Sequence, residues 1–284
     1  MTSKELFNIF REAACEVYDR REAVSVAHTM LEDLAGISRT RLFLYPDAEI
    51  DVPADMERIL GELRSGRPVQ YITGRCEFNG LEFRVREGVL IPRPETEELV
   101  ELVAAENAGV RSVLDIGTGS GAIAVSLAKL LPEACVRATD ISPEALAIAR
   151  GNAVANGVDV EFFQADILSE SSDWEGTWAD AMFDIIVSNP PYIPAGDIPF
   201  MHRNVVGYEP HIALFVPDFD PLVFYRAIAG HAVRLLAPGG GLYFEIYEHF
   251  AEEMRGLLEG FGFADIEVIR DINGKNRIVR CRKR

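Results

Sequence analysis

The chain has 284 residues and 48% apolar side chains, enough to bury a sizeable core, which excludes a disordered or low-complexity protein. A formal net charge of −17 argues against a protein that holds long nucleic acids by neutralising phosphates. No apolar run approaches the ~20 residues that span a bilayer. The first residues lack the features of a signal peptide, so we expect a soluble, cytoplasmic protein with no membrane contact.

The first part of the chain carries apolar residues at helical spacing. One such stretch covers residues 6–17, and a second covers residues 24–34 and ends at Gly36. A third runs over 55–63 and is closed by Gly66. Residues 1–74 are therefore predicted to form a small N-terminal helical bundle.

The apolar period changes from helical spacing to two after residue 75. An Asn79-Gly80 turn followed by alternation over residues 82–85 predicts a β-hairpin. We take residues 75–91 as a β-hairpin linker between two domains. Prolines at 92 and 94 then stiffen the entry to a helix predicted over residues 95–106, with acids in its first turn.

Strands and helices alternate from residue 111 to the end of the chain, which predicts a doubly wound α/β domain over residues 92–284. Such a sheet is parallel, is covered by helices on both faces, and binds ligands at the carboxyl ends of its strands. The predicted strands cover residues 112–116, 135–139, 158–163, 183–188 and 241–246, with a terminal hairpin at 266–271 and 277–281. The predicted helices cover residues 122–131, 143–156, 221–236 and 249–260.

A glycine loop, Gly117-Thr118-Gly119-Ser120-Gly121, follows the first of these strands and opens a helix. Glycines let the backbone turn sharply and approach a ligand closely. The spacing is neither the GxGxxG of dinucleotide folds nor a phosphate loop, which would carry a lysine. Asp115 precedes the loop, and Asp140 ends the next strand, where an acid can accept hydrogen bonds from both ribose hydroxyls. The pattern predicts a site for a nucleoside cofactor.

This set of residues resembles the S-adenosylmethionine-dependent methyltransferases, which have a Rossmann-like, seven-stranded sheet. The resemblance implies S-adenosyl-L-methionine as cofactor and S-adenosyl-L-homocysteine as product. It also implies the cofactor-binding residues, which are Asp115, Gly117, Thr118, Gly119, Ser120, Gly121, Asp140, Asp166, Ile167 and Asn189. Family members often place an aromatic residue just after the acid of the third strand, where this chain has Ile167.

A second motif, Asn189-Pro190-Pro191-Tyr192, follows the strand predicted over residues 183–188. A planar amide or aromatic amine is a poor nucleophile because its lone pair is delocalised. The Asn189 Oδ1 atom and the Pro190 carbonyl could accept its two N–H bonds out of the old plane, and the prolines restrict that carbonyl's direction. Tyr192 offers an aromatic face. We therefore predict Asn189, Pro190 and Tyr192 as catalytic residues, with no general base.

The Asn-Pro-Pro-Tyr motif is shared by methyltransferases that act on adenine amino groups and by others that act on glutamine side-chain amides. More of this chain resembles one family, the peptide chain release factor N5-glutamine methyltransferases. The resemblance runs almost end to end. It is carried by Arg67–Gly74, Phe78–Gly80, Val89–Glu97, the glycine loop, Asp140, Ser188–Pro194, Glu209-Pro210, Ala213-Leu214, Asp271, Gly274 and Arg277.

That resemblance implies methylation of the glutamine side-chain nitrogen (N5) in the Gly-Gly-Gln loop of release factors, which would be the protein partners. Residues 1–74 would then form a substrate-recognition domain. The substrate-binding residues would be Asn189, Pro190, Pro191, Tyr192, Arg93 and Glu95, with Arg93 and Glu95 in the wall near cofactor and substrate. A plain helix-start cluster is the other interpretation of Arg93 and Glu95.

Two other function classes compete with this hypothesis. One is an N6-adenine methyltransferase acting on DNA or RNA, but residues 1–85 carry 11 bases and 15 acids, a poor surface for a duplex. The other is a cofactor-binding module without catalysis, which would not need Asn189 and Tyr192. We expect no stable nucleic-acid binding and a monomer.

Two further features bear on the site. Residues 193–218 are predicted to form a long loop that walls the substrate cleft, with His202 and His211 in surface or packing roles. The four cysteines form no CxxC pair and none lies at zinc-ligand spacing from a histidine, so we expect reduced thiols and no metal site.

Overall fold

The computed structural model describes residues 1–169 and 182–284 and divides the chain into two compact units. The smaller unit contains Met1–Arg75, Val85–Glu87 and Met201–Glu209. The larger unit contains Cys76–Arg84, Gly88–Phe200 and Pro210–Arg284. Residues 76–84, predicted as part of a linker, thus belong to the larger unit, and the predicted domain boundaries stay a prediction.

The helices within the described ranges lie close to the predicted ones, with short additions. Their bounds are α1 Ser3–Ala14, α2 Arg20–Ala35, α3 Arg39–Leu44, α4 Met56–Ser65, α5 Val69–Thr73, α6 Pro94–Glu106, α7 Ala122–Leu130, α8 Pro143–Ala155, α9 Arg203–Val206, α10 Val223–Leu235 and α11 Ala251–Gly260. Single 3₁₀ segments cover Ala195–Phe200 and His211–Ala213.

The strands form one large sheet and two small pairs. Their bounds are β1 Arg75–Phe78, β2 Leu81–Arg84, β3 Ser112–Ile116, β4 Cys135–Asp140, β5 Glu161–Gln164, β6 Phe183–Ser188, β7 Ile193–Pro194, β8 Phe215–Val216, β9 Leu236–Glu245, β10 Ala264–Arg270 and β11 Asn276–Arg282.

Local sequence signals explain the helices of the smaller unit. α1 begins with a capping box in which the Thr2 hydroxyl accepts from the Glu5 amide at 3.2 Å and the Glu5 carboxylate accepts from the Thr2 amide at 2.8 Å. α2 and α4 end at Gly36 and Gly66, whose φ angles of +67° and +85° suit glycine. The apolar faces of these helices meet in one core, which includes Leu6, Phe10, Ala27, Met30 and Leu63.

The predicted hairpin forms in full. Asn79 and Gly80 adopt positive φ angles of 50° and 69°, the conformation that a two-residue hairpin turn requires. β2 is fastened to α8 by Asn152, which accepts from the Arg84 amide at 2.8 Å and donates to the Arg84 carbonyl at 3.0 Å. Asn152 is fully buried, so these bonds tie the hairpin into the larger unit.

The large sheet has seven strands in the order β10-β11-β9-β6-β3-β4-β5. β9, β6, β3, β4 and β5 are parallel, as predicted. β11 runs antiparallel to both β9 and β10, because β10 and β11 are joined by a tight hairpin. The terminal hairpin predicted from the sequence therefore forms at this edge and makes the sheet mixed, while the other five strands keep the predicted parallel order.

Alternate residues of the central strands face opposite helical layers. Ile185 and Val187 of β6 pack with α6 and α7 on one face, whereas Ile186 of the same strand packs with α10 and α11 on the other. Burial on both faces explains why these strands are continuous apolar runs. β3 lies between β6 and β4, so the strand order reverses beside β3. Such a switch point forms a crevice at the carboxyl ends of the strands.

Residues 193–218, predicted as a loop, contain short regular elements. β7 and β8 pair in parallel, with Ile193 opposite Phe215. The segment is thus divided into short pieces by its prolines rather than being without structure.

Candidate active site

The glycine loop is pinned to the end of β4. The amides of Gly117 and Thr118 each donate to the Thr139 carbonyl at 2.9 Å, and the Gly119 amide donates to Asp140 Oδ2 at 2.8 Å. Gly117 and Gly119 have φ angles of +77° and +56°, and a side chain on either would enter open space at the cavity that both line. Their lack of a side chain therefore leaves room for a ligand against the backbone.

Gly121 has a different role in the same loop. Its φ angle is +84°, and a Cβ atom there would lie 3.1 Å from Ala149 Cβ. The third glycine therefore permits the start of α7 to pack closely on α8. Ser120 is buried beside it, and its carbonyl accepts from Asn152 Nδ2 at 2.8 Å. Gly121 and Ser120 thus hold the loop from behind rather than line the cavity.

Asp115 lies buried beneath the glycine loop. Its Oδ2 atom accepts from the Thr118 hydroxyl at 2.6 Å, and its Oδ1 atom has no hydrogen-bond partner in the part of the chain that the structure describes. Burial raises the pKa of Asp115 to about 7, and the neighbouring Asp140 adds to this effect. Asp115 and Thr118 therefore support the loop and do not line the cavity wall.

Asp140 lines the cavity at the end of β4. Its Oδ2 atom accepts from the Gly119 amide, and its Oδ1 atom accepts from the Ser142 amide at 2.9 Å. Burial raises the pKa of Asp140, although these amide hydrogen bonds oppose the rise. A carboxylate oxygen has two lone-pair positions, so each oxygen can still accept a ligand hydroxyl.

The cavity has a volume of about 370 Å³ at the switch point of the sheet. Asp166 and Ile167, which follow β5, form one part of its wall, and the Asp166 carboxylate accepts from the Leu168 amide at 2.9 Å. Asn189, Pro190 and Pro191 form another part after β6. Pro210, Ile212 and Ala213 also line it. The carboxyl ends of β3, β4, β5 and β6 therefore meet at one pocket, as expected of this topology.

The Asn189 side chain is held by an unforeseen neighbour. Its Nδ2 atom donates to Thr96 Oγ1 at 3.1 Å, and the Thr96 hydroxyl donates to Glu245 Oε2 at 2.7 Å. The Tyr192 hydroxyl donates to the other carboxylate oxygen of Glu245 at 3.0 Å. Three elements, α6, β9 and the segment after β6, thus converge on the two predicted catalytic side chains.

Glu245 is 1% exposed at the end of β9. Burial raises its pKa, and the hydrogen bonds from Thr96 and Tyr192 and the charge of Arg277 oppose the rise. Arg277 is in turn paired with buried Asp271, whose Oδ2 atom lies 3.1 Å from Nε. The Tyr225 hydroxyl donates to the Glu245 backbone carbonyl at 2.9 Å, which fixes the main chain beneath this carboxylate.

The remaining predicted substrate residues lie at the start of α6. Arg93 is the residue before the helix and Glu95 is in its first turn, both half-buried. Neither is among the residues lining the cavity, whereas Gly88, Val89 and Leu90 just before them are. Arg93 and Glu95 still act on the site through their charges. Arg93 lowers the pKa of Tyr192 against the larger effect of burial, whereas Glu95 raises the pKa of Glu245 in the same direction as burial.

Thr96 and Glu245 are the residues that the sequence analysis missed. Thr96 lies within the Pro-Arg-Pro-Glu-Thr-Glu run, where a lone threonine among charged residues carries no signal of its own. Glu245 had a signal of its own, since it is an acid in the apolar run Leu242–Ile246. A charged residue inside a buried strand is rare unless it has partners. Tyr247 was also unassigned, and its ring stacks on Tyr192 with centroids 6.1 Å apart.

Residues 1–169 and 182–284 contain neither a metal-binding cluster nor a membrane-spanning helix. No group of three His, Cys, Asp or Glu side chains in these ranges is placed to hold a metal ion. No helix among them is long and apolar enough to cross a membrane.

Comparison with known proteins identifies the family. Residues 95–202 match the family "Methyltransferase small domain", and residues 9–74 match "PrmC N-terminal domain". The chain is 44% identical to the release factor glutamine methyltransferase of Flavobacterium psychrophilum over 95% of both chains. It is 44% identical to the enzyme of that name from Bacteroides thetaiotaomicron over 96% of this chain and 97% of the other.

A solved structure agrees on the fold. A methyltransferase from Pyrococcus furiosus superposes with a TM-score of 0.52 at 19% identity, covering 72% of this chain and 89% of that one. The sequence-based predictions of the family, the fold class and the enzyme class are confirmed. On identity over nearly its whole length, the chain belongs to the release factor glutamine methyltransferase family and is a methyltransferase.

Proposed function

We propose that this chain uses S-adenosyl-L-methionine to methylate the N5 atom of the glutamine in the Gly-Gly-Gln loop of peptide chain release factors. The observation that carries the proposal is the position of Asn189-Pro190-Pro191-Tyr192 in the wall, or just behind the wall, of a cavity bounded by the glycine loop and Asp140. The names of the curated relatives support a release factor as the substrate.

The cavity fits the cofactor. Gly117 and Gly119 leave backbone exposed where any Cβ atom would occupy the space, and Asp140 keeps acceptor positions for two ribose hydroxyls. Asp166 and Ile167 would contact the adenine from the next strand end. Bound there, S-adenosylmethionine would supply a methyl group on a positively charged sulfur, so the donor would need no activation by the protein.

The substrate amide is the group that the chain must activate. Its lone pair is delocalised into the carbonyl, so the two N–H bonds must be drawn out of the amide plane. Asn189 Oδ1 receives no hydrogen bond from the described residues and is available as one acceptor. The Pro190 carbonyl would be the second, held by the adjacent prolines. Acceptors fixed in advance stabilise the positive charge that develops on nitrogen.

Tyr192 and Tyr247 would confine the substrate side chain. The Tyr192 hydroxyl is anchored on Glu245 and its ring lies against Tyr247, whose own hydroxyl donates to Asp197 at 2.7 Å. Burial raises the pKa of Tyr192 well above its usual value, so the phenol stays neutral at physiological pH. A neutral, fixed aromatic ring suits packing on a planar amide and contributes to orientation.

The test is transfer of a labelled methyl group to purified substrates. An intact release factor, the same factor with the Gly-Gly-Gln glutamine changed to alanine, and a DNA duplex would be compared at equal concentrations. We expect label on the intact factor alone. Label on the duplex would instead support the N6-adenine methyltransferase that the motif also allows, and label on the alanine factor would exclude the proposed glutamine.

A further inference from the structure

We propose that Thr96 and Glu245 are positioning residues that fix the Asn189 amide with its oxygen toward the substrate. This inference rests on the proposed function of Asn189 as an acceptor. Neither residue lines the cavity, and the motif side chains that they contact are Asn189 and Tyr192. The two contacts that carry the inference are Asn189 Nδ2 to Thr96 Oγ1 at 3.1 Å and Thr96 Oγ1 to Glu245 Oε2 at 2.7 Å.

The direction of these hydrogen bonds follows from counting protons. An ionised carboxylate can only accept, so the single hydroxyl proton of Thr96 must point at Glu245. Thr96 Oγ1 then offers only lone pairs to its other neighbour. An amide placed against lone pairs must present its NH₂ group, so the Asn189 oxygen is turned the opposite way.

The alternative orientation of the Asn189 amide would leave the site without its proposed acceptor for the substrate. A flipped amide would set its oxygen against the lone pairs of Thr96, and a polar contact with no proton between its two oxygens is strongly disfavoured. It would also present an NH₂ group to the NH₂ group of the substrate. Because an amide is nearly symmetric in shape, packing alone does not distinguish the two orientations, whereas the Thr96–Glu245 pair does.

Glu245 has the surroundings that this role requires. Its two oxygens each face a hydroxyl group, from Thr96 and from Tyr192, which is the pattern of a carboxylate accepting two bonds. The nearby Arg277 charge favours the ionised form against burial. One buried carboxylate thus orients both side chains of the Asn-Pro-Pro-Tyr motif, although it lies 149 positions from Thr96 in the sequence.

A substrate-free measurement tests the contact itself. The side-chain NH₂ signal of Asn189 can be observed in the ¹H–¹⁵N correlation spectrum of the full chain and assigned by its loss in Asn189→Ala. One of its protons should show the downfield shift of a hydrogen-bonded proton. We expect Thr96→Val to remove that shift and Thr96→Ser to keep it. An Asn189 signal unaltered by Thr96→Val would overturn the inference, whether or not the chain methylates a release factor.

Turnover tests the consequence. Thr96→Val replaces the hydroxyl by a methyl group of similar size, and we expect kcat with an intact release factor to fall about 100-fold, as for a misplaced catalytic group. Affinity for S-adenosylhomocysteine should be unchanged. Thr96→Ser should restore turnover. As a matched control, Ser126→Ala removes a buried hydroxyl on α7 that has no hydrogen-bond partner among the described residues, and it should leave kcat unaltered.

Exchanging the amide at position 189 and the acid at position 245 tests the direction of the hydrogen bonds through Thr96 most sharply. In Glu245→Gln the new amide can donate to Thr96, whose proton then turns to Asn189 and flips it, so activity should fall. In Asn189→Asp a carboxylate meets the Thr96 lone pairs, so activity should also fall. The double variant Asn189→Asp/Glu245→Gln lets Gln donate to Thr96 and Thr96 donate to Asp, which leaves an acceptor facing the substrate.

We expect the double variant to be at least about tenfold more active than either single variant. Independent effects would instead make it less active than both. The proposed direction of the hydrogen bonds would be overturned if the activity losses of the two single variants multiplied in the double variant. It would also be overturned if the Thr96→Val enzyme were as active as the wild type. A wild-type chain that labels no release factor would refute the proposed function instead, and the NMR result would still decide the contact.

Discussion

Asp115 offers a direct test of how burial acts beneath the glycine loop. Its carboxyl group is 0% exposed, and burial raises its pKa to about 7 from an ordinary 3.8. The folded chain therefore keeps a proton in the window between these values, whereas the unfolded chain releases it. Because the folded state binds more protons there, the free energy of unfolding falls as pH rises through the window and levels off above about pH 7.

The size of this effect follows from the pKa. From about pH 5.5 to the pKa of about 7, about 1.5 units at about 1.4 kcal/mol per unit give a loss of about 2 kcal/mol. Asp115→Asn cannot ionise and lacks this loss. Relative to the wild type, the variant should gain about 2 kcal/mol between about pH 5.5 and about pH 8.

Urea denaturation of both proteins at the two pH values measures the effect. The buried N–H group that asparagine introduces has the same cost at each pH, so it cancels when the two differences are compared. A difference between wild type and variant that stays constant with pH would refute the reasoning, because it would mean that the folded and unfolded chains hold the Asp115 proton equally.

Three further predictions concern the support of the site. Gly121→Ala should lower the free energy of unfolding by about 1–3 kcal/mol in urea, since it combines backbone strain with a 3.1 Å approach to Ala149, and Gly117→Ala should lower it less. Asn152→Ala removes one buried and two part-buried hydrogen bonds and should cost about 2–4 kcal/mol in the same assay; a loss below that range would contradict the role of Asn152 in fastening the hairpin. Asp140→Asn should weaken binding of S-adenosylhomocysteine about tenfold or more by calorimetry, and unchanged affinity would contradict the ribose role.

The strands that carry the site were predictable because strong boundaries flank them. β3 and β6 are short apolar runs, and each is stopped at once by the glycine loop or by Asn189-Pro190. The predicted bounds of both strands, 112–116 and 183–188, are those of the structure. Burial on two faces and a breaker at the end are local properties of the sequence, so no tertiary information was needed.

Other elements could not be predicted from local patterns. α3 and α5 have 6 and 5 residues, too short to show a helical period. The first half of β9 contains Pro238 and two glycines, which mark a turn by composition, although β9 lies inside the sheet between β11 and β6. The antiparallel direction of β11 follows from its hairpin with β10, which was predicted, but its place between β9 and β10 depends on tertiary pairing.

The candidate site likewise has a part that the sequence predicts and a part that it does not. The motifs predicted which residues meet, because each follows a parallel strand and the carboxyl ends of such strands share one edge. The hydrogen bonds that orient them were invisible, because Thr96, Asn189 and Glu245 come from three distant parts of the chain. A buried acid in an apolar strand indicates that partners exist but does not identify them.

The most direct test of the proposed reaction is to locate the transferred methyl group. A release factor treated with the wild-type chain and labelled S-adenosylmethionine would be digested and its peptides sequenced by mass spectrometry, with Asn189→Ala as the matched enzyme control. We expect one added methyl group, on the side-chain amide nitrogen of the Gly-Gly-Gln glutamine, and none with Asn189→Ala. A methyl group on any other residue, or equal labelling by the Asn189→Ala enzyme, would contradict the proposed role of the Asn-Pro-Pro-Tyr motif.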